Sequence, residues 1–121
     1  EVLADVARKG PLPEDALATE IPARLAAYQD ALLHAARERR EANSHRGVDS
    51  LARLNEIMEG PGGFVYAGFC GGAECEERVK AETKATIRVL PFDEHRSGAA
   101  PAKCVVCGET AQTEAVWARA Y

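Results

Sequence analysis

Two pairs of cysteines in the last half of the chain decide how it folds. The first pair lies in Cys70-Gly71-Gly72-Ala73-Glu74-Cys75, and the second lies in Cys104-Val105-Val106-Cys107. Four residues separate the first two thiols, two residues separate the second two, and 28 residues lie between the pairs. Two close pairs of thiolates brought together form a closed tetrahedral site, the usual arrangement for structural zinc. The spacing therefore predicts a zinc site with Cys70, Cys75, Cys104 and Cys107 as ligands.

Other uses of these thiols stay open on the residues alone. Four cysteines can also form two disulfides, or lie apart as unrelated buried thiols. Cys104 and Cys107 have the spacing of a redox pair, although they lack the strand-then-helix setting that lowers a thiol pKa. Zinc is favoured because both pairs have ligand-like spacing and no thiol is left over. Four ligands leave no position for water, so the predicted metal is structural and not catalytic.

The segments around the cysteines alternate between strand and helix patterns. Strands are expected at 45–48, 64–69, 86–89 and 113–121, and helices at 50–59 and 73–83, because glycine, proline or capping residues bound each pattern. A longer helix is expected to begin at the N-cap Thr19, with Pro22 in its first turn, and to end at Asn43. One face of that helix carries an apolar stripe made of Ile21, Leu25, Tyr28, Leu32 and Ala36.

The element order after the long helix is β-α-β-α-β-β. The economical solution is an α+β domain of two layers, with the helices on one face of a small mixed β-sheet and with the four-cysteine zinc site. Ahead of it, residues 1–8 alternate like a short strand, and Gly10-Pro11-Leu12-Pro13 then breaks the chain. Residues 1–18 are therefore interpreted as the end of a preceding domain and a linker, and 19–121 as the zinc-binding domain.

Composition limits the classes of function. Hydrophobic residues make up 46% of the 121 residues, which is enough for a core. The formal net charge is −4, so the chain does not bind phosphate backbones through bulk charge. An apolar run near 18 residues and a charged-then-apolar leader are both missing, so no membrane span and a cytoplasmic location are expected. The arginines Arg37, Arg39, Arg40 and Arg46 are explained at least as well by a solvated helix end as by RNA contact.

Three stretches together resemble one family. They are the cysteine segment 70–76 with Val79-Lys80 behind it, the strand Thr83-Lys84-Ala85-Thr86-Ile87-Arg88-Val89-Leu90-Pro91-Phe92, and Lys103 to Gly108 followed by Trp117-Ala118-Arg119-Ala120-Tyr121. Over about residues 20 to 121 the chain resembles the carboxy-terminal zinc domain of the archaeal- and eukaryote-like prolyl-tRNA synthetases. Trp117 stands where phenylalanine is commoner in that family, and Val89 where a cysteine often occurs. Neither departure touches the four predicted ligands.

The resemblance implies a role inside a larger enzyme. The family's parent enzyme is a class II synthetase, usually a homodimer, that uses ATP and Mg²⁺ to attach proline to proline tRNA. Its catalytic and anticodon-binding domains precede this segment, and Glu1 to Arg8 match the last strand of the anticodon-binding domain. The four cysteines match the family's zinc ligands. Tyr121 matches a residue whose free carboxylate reaches toward the catalytic pocket.

The class II catalytic motifs are missing, so this segment alone is expected to have no catalytic or cofactor-binding residue and no activity. The alternative is a free-standing module in which zinc supports a surface for RNA or a protein.

Overall fold

A mixed four-stranded sheet organises residues 43–121. The computed structural model describes residues 10–98 and 101–120, and the chain divides into two units between Ala42 and Asn43. The expected strand at Glu1 to Arg8 and the residue Tyr121 lie outside the described residues.

The first unit contains one long helix. Helix α1 spans Leu17–Ala42 and follows a 3₁₀ turn at Glu14–Ala16, in which the Ala16 N–H donates to the Pro13 carbonyl at 3.1 Å. The prediction of Thr19 as N-cap is wrong, because this turn starts the helix earlier. As a result Pro22 lies in the helix interior and not in its first turn. None of the described side chains of α1 is buried.

The second unit alternates strands and helices in the predicted order. Its elements are β1 (Ser44–Val48), α2 (Leu51–Glu59), β2 (Phe64–Phe69), α3 (Ala73–Thr83), β3 (Ala85–Val89) and β4 (Thr113–Arg119). The sheet order is β1-β2-β4-β3, with β1 parallel to β2 and with β4 antiparallel to both β2 and β3. The prediction of an α+β fold with a small mixed sheet is confirmed.

The core of the second unit lies between the sheet and helices α2 and α3. The inward residues of α2 are Leu54, Ile57 and Met58, whose spacing places them on one face of the helix. They join Val65 and Ala67 of β2, Val79 of α3 and the fully buried Trp117 of β4. The Trp117 ring meets Phe69 edge to face, with 5.6 Å between ring centroids. The buried residues Cys104 and Val105 extend the same core to the cysteine turn.

A buried threonine closes the connection from α3 to β3. The Thr83 hydroxyl donates to the Val79 carbonyl at 2.7 Å and accepts from the Ala85 N–H at 3.1 Å. Lys84 then reverses the chain with φ +62°. The Arg119 guanidinium donates to the Thr83 carbonyl at 2.7 Å, so this turn is also tied to β4.

Among the described residues, no helix combines the length and the apolar character needed to cross a membrane.

Candidate metal centre

The first cysteine pair lies where β2 passes into α3. Cys70 directly follows Phe69, the last residue of β2, and Cys75 is the third residue of α3. Gly71 has φ +83°, a left-handed conformation that glycine adopts without strain, and this residue turns the chain between the two elements. The Cys70 thiol at the end of β2 and the Cys75 thiol in the first turn of α3 therefore lie near each other at one end of the sheet.

The second pair lies in a tight turn at the tip of a short hairpin. The Cys104 N–H donates to the Glu109 carbonyl at 2.7 Å, and the Gly108 N–H donates to the Cys104 carbonyl at 3.0 Å. A single antiparallel bridge between Lys103 and Thr110 closes the base of the hairpin. Residues 104–108 therefore form a tight turn that holds Cys104 and Cys107 close together.

Backbone contacts bring this hairpin onto β2. The Val105 N–H donates to the Gly68 carbonyl at 2.9 Å, and the Gln112 N–H donates to the Phe69 carbonyl at 2.9 Å. A Cβ atom placed on Gly68 would lie 2.2 Å from the carbonyl oxygen of Lys103 and 2.8 Å from that of Pro101. Only a glycine at position 68 therefore allows the hairpin to approach so closely.

The role of Gly68 was not predicted from the sequence. The available signal was a glycine inside an otherwise regular strand pattern, which marks the close approach of another backbone segment.

The four cysteine sulfur atoms lie close together. The Sγ atoms of Cys70, Cys75, Cys104 and Cys107 all lie within 4.8 Å of one another, and all four cysteines are free thiols. In a tetrahedral site with zinc–sulfur bonds of about 2.3 Å, the sulfurs are about 3.8 Å apart. The sulfur cluster therefore fits a closed four-thiolate metal site with small adjustments of the side chains.

Burial differs among the four thiols. Cys104 is buried, Cys70 and Cys75 are half-buried, and Cys107 is exposed. Within residues 10–98 and 101–120, these cysteines form the one cluster of three or more histidine, cysteine or acidic side chains able to share a metal. The remaining candidate site residue, Tyr121, lies outside the described residues.

The surroundings of the sulfurs favour a thiolate at Cys104 and oppose one at Cys75. Burial alone would raise the pKa of Cys104, but hydrogen bonds from the backbone N–H groups of Cys107, Val106 and Cys70 lower it to about 7. For Cys75, burial and hydrogen bonds with the thiols of Cys70 and Cys107 raise the pKa to about 12. A second, third or fourth negative charge in so small a volume requires a cation between the sulfurs.

A family model described as "Prolyl-tRNA synthetase, C-terminal" matches residues 51–121. The chain is 40% identical to the proline–tRNA ligase of Cenarchaeum symbiosum, an alignment that covers 94% of this chain and 22% of that protein. It is 39% identical to the proline–tRNA ligase of Symbiobacterium thermophilum, with coverage of 99% and 25%. The chain thus spans about a quarter of the length of these relatives.

Solved structures agree with the fold. The prolyl-tRNA synthetase of Cryptosporidium parvum complexed with L-proline and AMP superimposes with a TM-score of 0.77 at 26% identity, covering 94% of this chain and 24% of that one. The Giardia lamblia prolyl-tRNA synthetase, at 22% identity and a TM-score of 0.69, shares the fold over 84% of this chain. Since the family model covers more than half of the chain and includes all four cysteines, the chain belongs to the family of prolyl-tRNA synthetase carboxy-terminal domains.

Proposed function

We propose that the chain is the structural zinc domain of a proline–tRNA ligase, with one zinc ion held by Cys70, Cys75, Cys104 and Cys107. The observation that carries the metal assignment is the meeting of four sulfurs within 4.8 Å from two distant segments. Zinc supplies a divalent cation that accepts all four thiolates and leaves no position for substrate or water.

The protein's own residues prepare this site. The amides of Val106 and Cys107 donate to the buried Cys104 sulfur, which lowers the cost of its negative charge. The bonds from Val105 and Gln112 to β2 fix the hairpin that carries the second pair. Cys70 directly follows β2, Cys75 lies in α3, and Cys104 and Cys107 lie in the hairpin, so metal binding would join these three elements.

The activity that we propose belongs to the whole polypeptide. Relatives named proline–tRNA ligase are about four times longer than the matched segment, and this supports a parent enzyme with further domains. That enzyme attaches proline to proline tRNA with ATP and Mg²⁺, acts in the cytoplasm and forms a homodimer. Catalytic and anticodon-binding domains are its other parts, with residues 1–18 as the connection to the anticodon-binding domain and 19–121 as the zinc domain. The zinc domain itself carries out no chemical step.

Tyr121 is the one residue here to which we assign a role near the active site. Deleting Tyr121 from the full polypeptide is expected to reduce proline-dependent exchange of pyrophosphate into ATP, while the zinc content stays at one per chain. Tyr121→Phe, which keeps the chain length and an aromatic ring at this position, is the matched control and should retain most of the exchange activity. Normal activity of the deletion variant would remove this role but leave the zinc domain assignment intact.

A further inference from the structure

The four thiols of the metal centre differ in how far the second unit covers them. Cys104 is 2% exposed and belongs to the hydrophobic core of that unit, and Cys70 and Cys75 pack against the same core. Cys107 lies outside the core and is exposed, as are the next three residues of the chain, 108–110. Among the four ligand positions, Cys107 is therefore the one that is open to reagents from solution.

The turn that carries Cys107 also carries a second thiol. Only Val105 and Val106 separate Cys104 from Cys107, and the Gly108 N–H closes the turn by donating to the Cys104 carbonyl at 3.0 Å. Residues three apart in a tight turn have Cα atoms less than about 7 Å apart, and a disulfide joins Cα atoms about 4.4–6.8 Å apart. The two sulfurs already lie within 4.8 Å of each other. This pair can therefore form a disulfide with little movement of the backbone.

The first pair is less suited to oxidation. Cys70 follows the last residue of β2 and Cys75 lies in α3, so the two thiols belong to different elements. Shortening the distance between their sulfurs to a bond of about 2.05 Å would pull a helix toward a strand. Both thiols are also less exposed than Cys107. Oxidation of the cluster is therefore expected to begin at Cys107 and to end in a bond with Cys104.

We propose that Cys107 is an oxidation site, and that hydroperoxides convert Cys104 and Cys107 into a disulfide at the expense of the bound zinc ion. This inference rests on the proposed function, which supplies the metal. Hydroperoxides are the reagent class because they are small two-electron oxidants, and the susceptibility of a thiolate to them follows its exposure.

Two displacement steps complete the reaction. The Cys107 sulfur attacks one oxygen of the hydroperoxide, so that an S–O bond forms and the O–O bond breaks. The other oxygen takes a proton from solvent and leaves as water or an alcohol. The Cys104 sulfur then attacks the Cys107 sulfur, so that an S–S bond forms and the S–O bond breaks with release of hydroxide. Two electrons pass from the two sulfurs to the peroxide.

The disulfide leaves too few thiolates for the metal. Cys70 and Cys75 alone fill two of the four positions of a tetrahedral site, so zinc is expected to dissociate and the second unit to lose the stability that metal binding supplies. The hairpin stays attached to β2 through the bond from the Val105 N–H to the Gly68 carbonyl. Reduction would then return the thiolates to the same place, which makes the loss of zinc reversible.

Titration of the zinc-loaded full polypeptide with hydrogen peroxide tests the proposal. A chromogenic chelator should detect one zinc released for each disulfide formed, and peptide mapping without reduction should find Cys104 bonded to Cys107. Dithiothreitol with added zinc should restore one zinc per chain. A disulfide between Cys70 and Cys75, or zinc that stays bound in excess peroxide, would overturn the proposal.

Two histidine variants separate Cys107 from the other ligands. Cys107→His and Cys75→His each leave three thiolates and one imidazole, a ligand set that zinc accepts. Zinc release from Cys107→His by peroxide should be at least about tenfold slower than from the native protein, because the exposed sulfur is gone. Cys75→His, the matched control, should release zinc at least as fast as the native protein. Equal release rates in the two variants would count against Cys107 as the site of attack.

Alkylation of the native, zinc-loaded protein covers the case in which a histidine variant fails to fold. N-ethylmaleimide should modify Cys107 before the other three thiols, and earlier labelling of Cys70 or Cys75 would overturn the proposal.

The same samples separate this inference from the proposed function. Native protein that contains one zinc per chain and keeps it in excess peroxide would overturn the inference and leave the metal assignment intact. Protein that contains no zinc would contradict the proposed function, while a disulfide between Cys104 and Cys107 in that protein would still support the oxidation site.

Discussion

At the scale of single residues, Gly68 lets the backbone of the cysteine hairpin approach β2 more closely than any residue with a side chain would allow. The carbonyl oxygens of Lys103 and Pro101 occupy the space that a Cβ would need. Because position 68 has no side chain, the cysteine hairpin can pack directly against the strand. This contact fixes the distance between the two cysteine pairs.

Gly68→Ala should lower the free energy of unfolding of the zinc-loaded protein by about 1–3 kcal/mol, because backbone must move away from the added methyl group. Denaturant unfolding measures this change. Gly98→Ala is the matched control, since a Cβ at Gly98 would meet nothing within 4 Å, and its change should stay within about 0.5 kcal/mol. Equal stability of both variants would contradict the close approach of hairpin and strand.

Replacing a single ligand tests each sulfur by itself. Cys104→Ser removes the buried sulfur that accepts backbone N–H groups, and we expect the purified variant to contain well under one zinc per chain. Thr110→Ser, in the same hairpin but outside the sulfur cluster, should keep one zinc per chain. Elemental analysis of both proteins distinguishes the outcomes, and full zinc content in Cys104→Ser would exclude this thiol as a ligand.

At the scale of elements, the sequence predicted the second unit better than the first. Glycine and capping residues bound α2, β2 and α3 so clearly that their limits could be assigned within about one residue. Helix α1 lacks such a signal at its start, because Leu17 follows a 3₁₀ turn that no side chain caps. Thr19 resembled an N-cap by residue type, and only the structure places it inside the helix.

The turn from α3 to β3 depends on the buried hydroxyl of Thr83. Thr83→Val keeps the shape of the side chain but leaves the Ala85 N–H without its acceptor, which should cost about 1–3 kcal/mol of unfolding free energy. Thr110→Val, at an exposed position, should change stability by no more than about 0.5 kcal/mol. Thermal or denaturant unfolding of the two variants measures the difference, and a neutral Thr83→Val would show that the turn does not depend on this bond.

At the scale of the whole molecule, the cysteine spacing predicted the site but not the sheet order. Helix and strand patterns are local, so they indicated β-α-β-α-β-β and an α+β class. The insertion of β4 between β2 and β3 is decided by contacts between residues about 50 positions apart in the chain, for example Val65 with Trp117. Such pairing leaves no local sequence signal. Likewise, the spacing indicated which thiols lie together. Only the structure shows that Gly68 and the Val105 amide bring the two cysteine pairs close to each other.

Removal of the metal should affect the whole second unit. A structural zinc site contributes apparent folding free energy on the order of 10–16 kcal/mol, which is comparable to the total net stability of a typical domain, about 5–15 kcal/mol. We expect chelation to abolish the cooperative unfolding transition of residues 43–121, and added zinc to restore it. Calorimetry with and without chelator measures this, and an unchanged transition would mean that the sheet and core suffice.

X-ray absorption at the zinc edge tests the central claim most directly, on protein purified without added metal. The structure predicts one zinc per chain, surrounded by four sulfur atoms at about 2.3 Å and by no nitrogen or oxygen atom. A mixed coordination shell, or a metal-free protein in which the cysteines are bonded in pairs, would contradict it.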